Sequence, residues 1–174
     1  WDGFGSNGGF KFLYVGRVSS EKNVENMLEA FCEFTSGRDG VELVVVGDGP
    51  DLKALKKKYR RQGILFTGYL SGEPLAKAYA SADAFVFPSM TDTFGNVVLE
   101  AHASGLPAIV ANEGGPPEIV RTHESGLIVD ARHPSSLAQA MASLHDDESL
   151  RARLREGALN KARESRWETA LDML

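Results

Sequence analysis

The amino-acid sequence predicts one α/β domain, built on an open parallel β-sheet with helices on both faces. Short runs rich in β-forming residues alternate with amphipathic helical segments along nearly the whole chain, a pattern typical of this fold class. The run Val41–Val46, VELVVV, has almost no polar alternation, as expected for a parallel strand covered on both faces. With 174 residues, 43% of them hydrophobic, the chain is long enough to bury a single sizeable core.

Six strands are predicted, each from a short apolar or β-branched run bounded by turn-forming residues. In chain order they are Phe10–Val15, Val41–Val46, Ile64–Thr67, Ala84–Phe87, Ala108–Ala111 and Leu127–Val129. In an open parallel sheet, the loops that follow the strands lie along one edge, where ligands of such folds bind. We therefore expect functional residues in these loops.

Helices are predicted where apolar residues recur at helical spacing between the strands. They lie near Val24–Thr35, Asp51–Gln62, Glu73–Ser81, Asn96–Ser104, Ser135–Leu144 and Ser149–Glu164, with a short helical turn near Pro117–Val120. Residues 1–9 are glycine-rich and are expected to form a flexible leader, because their G-x-G-x-x-G pattern precedes the first strand instead of following one. The domain is predicted to span residues 10–165, and a further segment to start at Arg166 and run to Leu174.

Composition and charge exclude several classes of protein. The net charge of −5 argues against a nucleic-acid partner, and a local basic run is interpreted as a solvated helix face. The single cysteine, Cys32, has no partner for an internal disulfide and is expected in the core. No apolar run approaches a membrane-spanning length and the N-terminus lacks a signal-peptide pattern, so a soluble chain is expected. The basic run comprises Lys53, Lys56, Lys57, Lys58, Arg60 and Arg61.

Motifs for metals and for common nucleophiles are missing from the sequence. The four histidines show no pairing at ligand spacing, and no Asp-x-Asp occurs to hold a metal-bound diphosphate, so we predict no metal site. His102 is expected to be a packed or surface residue instead of a catalytic base. Neither a Walker lysine motif nor a nucleophile elbow is present.

Two acidic residues, Asp92 and Glu100, bracket the start of the helix that follows the fourth strand. A helix N-terminus carries unpaired N–H groups and a partial positive charge. The amides of the segment Phe94, Gly95, Asn96 and Val97 can therefore face a phosphate, while the two carboxylates accept hydrogen bonds from sugar hydroxyls. Gly95 is expected to allow close approach of the backbone to the ligand. The pattern predicts a site for a phosphorylated sugar.

The loop after the first strand carries Gly16, Arg17 and Lys22. Gly16 permits a sharp turn, and the two cations can converge on the phosphates of a ligand. The alternative is an ordinary surface pair, in which Arg17 or Lys22 contacts Glu21.

Together these motifs resemble the group 1 retaining glycosyltransferases, which consist of two facing Rossmann-like domains, the GT-B architecture. The usual mark of that family is two glutamates separated by seven residues; here Asp92 replaces the first, and Glu100 matches the second. The resemblance runs from about Phe10 to Glu168. It also includes Phe94-Gly95, Glu100-Ala101, Ser104-Gly105-Leu106-Pro107, Gly47-Asp48-Gly49-Pro50, Gly68-Tyr69-Leu70 and Gly114-Gly115-Pro116-Pro117-Glu118.

The resemblance implies a role for each matched residue. Arg17 and Lys22 would clamp the diphosphate leaving group, Glu100 on the first turn of its helix would hold the ribose hydroxyls, and Asp92 would contact the transferred sugar. The segment Gly68-Tyr69-Leu70 would border the base. The implied catalytic residues are Arg17, Lys22 and Asp92, and the implied donor-binding residues are Gly16, Arg17, Lys22, Tyr69, Leu70, Asp92, Phe94, Gly95, Asn96, Val97 and Glu100.

The function implied by the resemblance is that of the C-terminal half of a GT-B glycosyltransferase. It would bind a UDP- or GDP-linked hexose, such as mannose or glucose, for transfer with retention of anomeric configuration and without a cofactor. An N-terminal domain of the same protein would supply the acceptor site, residues 166–174 would return to it, and this chain alone would be inactive. The whole enzyme is expected in the cytoplasm, with a peripheral contact to the inner face of the membrane left open.

Two other functions compete with this one. The first is a nucleotide-sugar epimerase of the same architecture, and the second is a binding module, either a nicotinamide Rossmann domain or a receiver-like domain. The segment Gly47-Asp48-Gly49 has Leu52 where the third glycine of a dinucleotide fingerprint belongs, so it is interpreted as a tight turn. The segment Gly114–Glu118 is either a loop near the donor or a turn that introduces a helix.

Overall fold

A computed structural model describes residues 9–60 and 63–171 of the chain. Its centre is a six-stranded sheet in which every pairing is parallel. The strand order is β3-β2-β1-β4-β5-β6. The predicted open parallel α/β fold is confirmed, whereas residues 1–8 of the predicted leader lie outside the described residues. The strands are β1 (Phe10–Val15), β2 (Val41–Val46), β3 (Ile64–Gly68), β4 (Ala84–Phe87), β5 (Ala108–Ala111) and β6 (Gly126–Val129).

Burial of the central strands shows that both faces of the sheet are covered. Every residue of β4 and of β5 is buried, although successive side chains of a strand point to opposite faces. In β2 only Glu42 is partly exposed, which explains the unbroken apolar run in this part of the sequence.

Helices cover these faces, and they pack against one another as well as against the sheet. Helix α1 contacts α6, and α4 contacts α7. In α1 the buried residues Val24, Met27, Leu28 and Phe31 follow helical spacing and form one apolar stripe. The helices are α1 (Val24–Phe34), α2 (Leu52–Lys58), α3 (Gly72–Ser81), α4 (Asn96–Ala103), α5 (Pro116–Ile119), α6 (Pro134–Asp146) and α7 (Glu148–Leu171), and a 3₁₀ turn covers Ser20–Lys22.

Several predicted boundaries are wrong, by one residue at the end of β3 and by more at the ends of α2, α6 and α7. Helix α2 ends at Lys58 instead of Gln62, because Tyr59 leaves the helical conformation and buries its ring. Strand β3 extends to Gly68 through a bulge opposite β2. No new segment starts at Arg166, since α7 continues unbroken to Leu171, where the sequence offers neither glycine nor proline to end it.

The basic run of α2 has the predicted solvated character over its described part. Lys53, Lys56, Lys57 and Arg60 are exposed. Lys58 forms an ion pair with Glu25 of α1 at 2.6 Å. These side chains therefore mark the outer surface of the domain beside the edge strand β3.

The strand order places the loops after β1 and β4 next to each other. Strands β2 and β3 extend the sheet on one side of β1, and β4, β5 and β6 extend it on the other. The chain direction across the sheet therefore reverses between β1 and β4, and the carboxyl ends at such a switch point form a crevice.

Candidate functional site

A cavity of about 210 Å³ lies at this switch point. It is bounded by the ends of β1 and β4, by the loops that follow them, and by the first turn of α4. The structure thus brings together the two motifs that the sequence separates by some seventy residues. Its wall is formed by Val15, Gly16, Arg17, Lys22, Phe87, Asp92, Phe94, Asn96 and Val97.

Tyr14, on strand β1, supports the loop that follows this strand. This role was not predicted from the sequence. The Tyr14 side chain is fully buried and its ring stacks on Phe87, with the ring centroids 6.0 Å apart. The Tyr14 hydroxyl donates a hydrogen bond to the carbonyl oxygen of Arg17 at 2.8 Å. Burial raises the pKa of Tyr14, and the negative charge of Asp92 raises it further, so the phenol remains a donor. The signal available in the sequence was a tyrosine next to the apolar residues Phe12, Leu13 and Val15 of the strand.

The neighbouring turn after β2 supports the same loop from the side. Backbone N–H of Val18 donates to the carbonyl of Asp48 at 3.0 Å. At Gly47, φ is +142° and an added Cβ would clash with the carbonyl oxygen of Gly16. The interpretation of Gly47-Asp48-Gly49-Pro50 as a tight turn is confirmed only from Gly49 onward, where the Leu52 N–H donates to the Gly49 carbonyl at 3.2 Å. Gly47 instead permits the close contact between the two loop backbones.

Asn23 connects the loop after β1 to two other parts of the chain and was also missed. It adopts the left-handed conformation with φ +57°, which asparagine tolerates better than most residues. Its side-chain amide donates to the carbonyl of Ala131 at 2.8 Å and to that of Pro88 at 3.4 Å. Lys22, the residue before it, ends the 3₁₀ turn and is thereby directed toward β4.

Lys22 and Asp92 form an ion pair across the cavity. Lys22 Nζ lies 2.8 Å from Asp92 Oδ2, and the two side chains are 20% and 25% exposed. The alternative pairing of Lys22 with Glu21 is therefore wrong. Arg17 is exposed and makes no ion pair with any residue of the described ranges. Among the described residues, the site therefore holds Arg17 outside any ion pair, beside the neutral pair of Lys22 and Asp92.

Helix α4 begins at Asn96, as predicted, and the structure shows two further reasons for a glycine at position 95. It is the residue that precedes the helix, with φ +60°, a conformation that favours glycine. Gly95 is buried, and an added Cβ would lie 3.1 Å from Ile119 Cδ1 and 3.3 Å from Pro116 Cγ. This glycine thus allows a turn and close packing on α5. The N–H groups of Asn96 and Val97 still lie at the helix end, where no earlier helical carbonyl can accept them.

The glycine pair Gly114-Gly115 packs against the loop that carries Asp92 and Thr93. Gly115 N–H donates to the carbonyl of Asp92 at 2.7 Å. An added Cβ on Gly114 would lie 2.7 Å from that same oxygen, and one on Gly115 would clash with the carbonyl of Thr93. Helix α5 starts directly after the pair, at Pro116. The segment therefore introduces a helix and also fixes the backbone of the acidic loop.

Glu100 lies on the second turn of α4, not on the first as predicted, because the helix begins at Asn96. It is outside the wall of the cavity, yet it follows Asn96 by four positions and Val97 by three, so it shares their face of the helix. Its carboxylate is exposed, and Oε2 accepts a hydrogen bond of 2.8 Å from the hydroxyl of Tyr79. Burial raises the pKa of Tyr79, and the bond to Glu100 raises it further.

Tyr69 and Leu70 do not reach the cavity wall. They follow β3, which lies two strands from β1, roughly 10 Å across the sheet. The Tyr69 side chain is 75% exposed, whereas Leu70 packs partly against the core. Both lie at the edge formed by the carboxyl ends of the strands, but the structure separates them from Arg17 and Lys22.

Other expectations concern metals, histidine and membranes. His102 is fully buried on α4, so of the two predicted alternatives, packed or surface, the structure shows the packed one. In the parts of the chain that the structure describes, no group of three or more His, Cys, Asp or Glu side chains is arranged to hold a metal ion. Within residues 9–60 and 63–171, no helix combines the length and apolar character needed to span a bilayer.

The sequence is similar to curated glycosyltransferases. It is 36% identical over 161 residues to a GDP-mannose-dependent alpha-mannosyltransferase of Corynebacterium glutamicum, covering 92% of this chain and 37% of that protein. It is also 36% identical over 141 residues to the sulfoquinovosyl transferase SQD2 of Arabidopsis thaliana, covering 79% of this chain and 27% of that protein. The chain therefore spans well under half the length of either relative.

Solved structures share the fold. The C-terminal domain of the glycosyl transferase group 1 family protein LpcC from Francisella tularensis superposes with a TM-score of 0.81 at 24% identity, covering 89% of this chain and 85% of that chain. Anabaena Alr3699/HepE in complex with UDP gives a TM-score of 0.79 at 20% identity, covering 95% of this chain and 49% of that chain.

The chain also matches a whole family over a comparable span. Residues 4–161 match the family described as Glycosyl transferases group 1, which accounts for nearly all of the described fold and for both loops of the cavity. The chain therefore belongs to the group 1 glycosyltransferases.

Proposed function

We propose that this chain is the donor-binding domain of a retaining glycosyltransferase and that it holds the donor diphosphate at the β1–β4 switch point. One observation carries the proposal: Arg17, Lys22 and the N-terminus of α4 converge on one cavity. Anions bind at such helix ends, and guanidinium and ammonium groups form strong charge-assisted hydrogen bonds with phosphate. The cavity itself is small, so the rest of the donor would extend along the open edge of the sheet.

The proposed chemistry uses these groups to stabilise the leaving group. Negative charge grows on the diphosphate as the glycosidic bond breaks, and cations already aimed at it stabilise the transition state more than the ground state. Lys22 would exchange its contact with Asp92 for a phosphate oxygen. Asp92 would then accept hydrogen bonds from hydroxyls of the transferred sugar. Arg17, Lys22 and Asp92 are therefore the residues that we assign to catalysis.

The relatives support GDP-mannose as the first donor to test. Of the two curated relatives described above, the one that covers more of this chain is GDP-mannose-dependent. Retention of anomeric configuration is proposed from the family resemblance. The acceptor site and further catalytic groups would come from an N-terminal domain of the full-length protein, and the chain by itself would bind donor and transfer little or no sugar.

Isothermal titration calorimetry with GDP, UDP and NAD tests the proposal directly. We expect GDP to bind more tightly than UDP, and NAD not to bind. Binding of NAD alone would favour a nicotinamide module and contradict the proposal.

Two variants test the assignment of the acids. Glu100→Ala is expected to weaken binding of GDP, whereas Asp92→Ala is expected to spare GDP and to weaken binding of GDP-mannose. Equal losses for both ligands in the Asp92 variant would show that Asp92 does not contact the sugar.

A multiple-turnover transfer assay on the chain alone should give almost no glycoside; turnover typical of a whole enzyme would contradict its assignment as one half of the enzyme.

A further inference from the structure

A hydrogen bond between helices α3 and α4 meets the candidate site at Glu100. The donor is Tyr79, which is 4% exposed and whose ring lies against Phe85, with the centroids 6.0 Å apart. Its hydroxyl lies 2.8 Å from Glu100 Oε2 and 3.5 Å from the carbonyl oxygen of Val97. A buried aromatic ring has little freedom to move, so the Tyr79 hydroxyl donates its hydrogen bond to the Glu100 carboxylate from a fixed position.

Apart from this hydrogen bond, the Glu100 side chain is free to change its rotamer. A glutamate side chain on a helix surface has three rotatable bonds, and fixing them opposes binding of any ligand that needs the carboxylate in one place. The Tyr79 hydroxyl occupies one carboxylate oxygen. Because an ionised carboxylate can accept about four hydrogen bonds, Glu100 keeps acceptor capacity on its exposed side, one turn of helix beyond Asn96 in the cavity wall.

We propose that Tyr79 is a positioning residue that orients Glu100 to accept hydrogen bonds from the ribose hydroxyls of the donor nucleotide. This inference rests on the proposed donor-binding function and extends it to a residue that contacts no ligand. Tyr79 acts by ordering the carboxylate before the ligand arrives, so that the ligand does not have to immobilise it. An immobilised side chain of this kind alters affinity by roughly threefold to tenfold.

The test compares Tyr79→Phe with the unchanged chain by calorimetry, using GDP or UDP, whichever binds more tightly, and its 2′,3′-dideoxy analogue. The phenylalanine keeps the buried ring and removes only the hydroxyl. We expect affinity for the ribonucleotide to fall by about threefold to tenfold and affinity for the dideoxy analogue to stay the same. In a Glu100→Ala background, Tyr79→Phe should have no further effect on ribonucleotide binding.

Tyr59 offers a matched control. It is 8% exposed, and its hydroxyl lies 3.4 Å from Glu29 Oε1, on the α1–α2 side of the domain and outside the cavity wall. Tyr59→Phe removes the same group from a comparable tyrosine–glutamate contact. It should leave both affinities unchanged, and thermal unfolding of both variants reports whether the fold is retained.

Three outcomes would overturn the inference. If Tyr79→Phe binds the ribonucleotide as well as the unchanged chain does, the hydroxyl does not position Glu100. If it weakens both ligands equally, Tyr79 supports the fold and not the ribose contact. If the unchanged chain binds neither GDP nor UDP, the proposed function fails and this inference fails with it, and that result is distinct from the first two.

Discussion

Acidification is expected to destabilise this domain through one buried side chain, His102. The imidazole is fully buried on α4, the helix whose N-terminal backbone N–H groups border the candidate site. Its pKa is lowered from 6.5 to about 4, mainly by burial; the backbone of Ser125 opposes this lowering, and the positive charge of Lys161 adds to it. In the folded domain His102 is therefore neutral at pH 7.

The size of the effect follows from the two pKa values. Because the pKa is lower in the folded state, the unfolded chain binds the proton more tightly, and the free energy of unfolding decreases as the pH falls. The stabilisation is fully present above pH 6.5 and is lost as the pH falls toward 4. A shift of this size corresponds to about 3 kcal/mol in total, a large part of the 5–15 kcal/mol that is typical for a domain.

Urea denaturation at pH 7.0 and at pH 4.5 measures the effect, with His102→Gln as the comparison. Carboxylates such as Asp130 and Asp146, whose pKa values are lowered mainly by hydrogen bonds from Arg132 and Arg38, destabilise both proteins alike at low pH. The unchanged protein should lose about 2 to 3 kcal/mol more than the variant. Equal losses in the two proteins would refute the assignment of a buried neutral imidazole.

Further predictions concern the ion pair and the glycine turn. Lys22→Met should lower affinity for GDP by about tenfold or more, since a hydrogen bond from a charged group contributes about 1.5–3 kcal/mol. Adding Asp92→Asn should restore part of this affinity in calorimetry, because the unpaired carboxylate of Asp92 then no longer repels the phosphates. If the effects of the two substitutions on affinity are additive, Lys22 and Asp92 are not coupled. Gly47→Ala should reduce the free energy of unfolding by more than Gly37→Ala, because an added Cβ clashes with the carbonyl of Gly16 at the first site and meets open space at the second. Gly37, at φ +78°, then reports backbone strain alone, about 1–2 kcal/mol, and equal losses in urea denaturation would show that the clash is relieved without cost.

Several features of this protein could be predicted because they depend on neighbours in the sequence. The mostly apolar run of Val41–Val46 identified a buried parallel strand, and the loop residues Pro88–Gly95 together with the helical spacing after them identified the start of α4 at Asn96. Strand content, fold class and the two loops that border the cavity follow from such local periodicity and turn chemistry. Where the local signal is weak, as at the end of α2 or across Arg166, the predicted boundaries failed.

Contacts between distant segments could not be predicted in the same way. Lys22 meets Asp92 only because β1 pairs with β4 in the sheet, although β2 and β3 lie between them in the chain. The orientation of Glu100 depends likewise on Tyr79 of a different helix. The sequence by itself determined which residue types stand after each strand. The tertiary structure decided which of them meet, because strand order sets those distances and local sequence does not encode it.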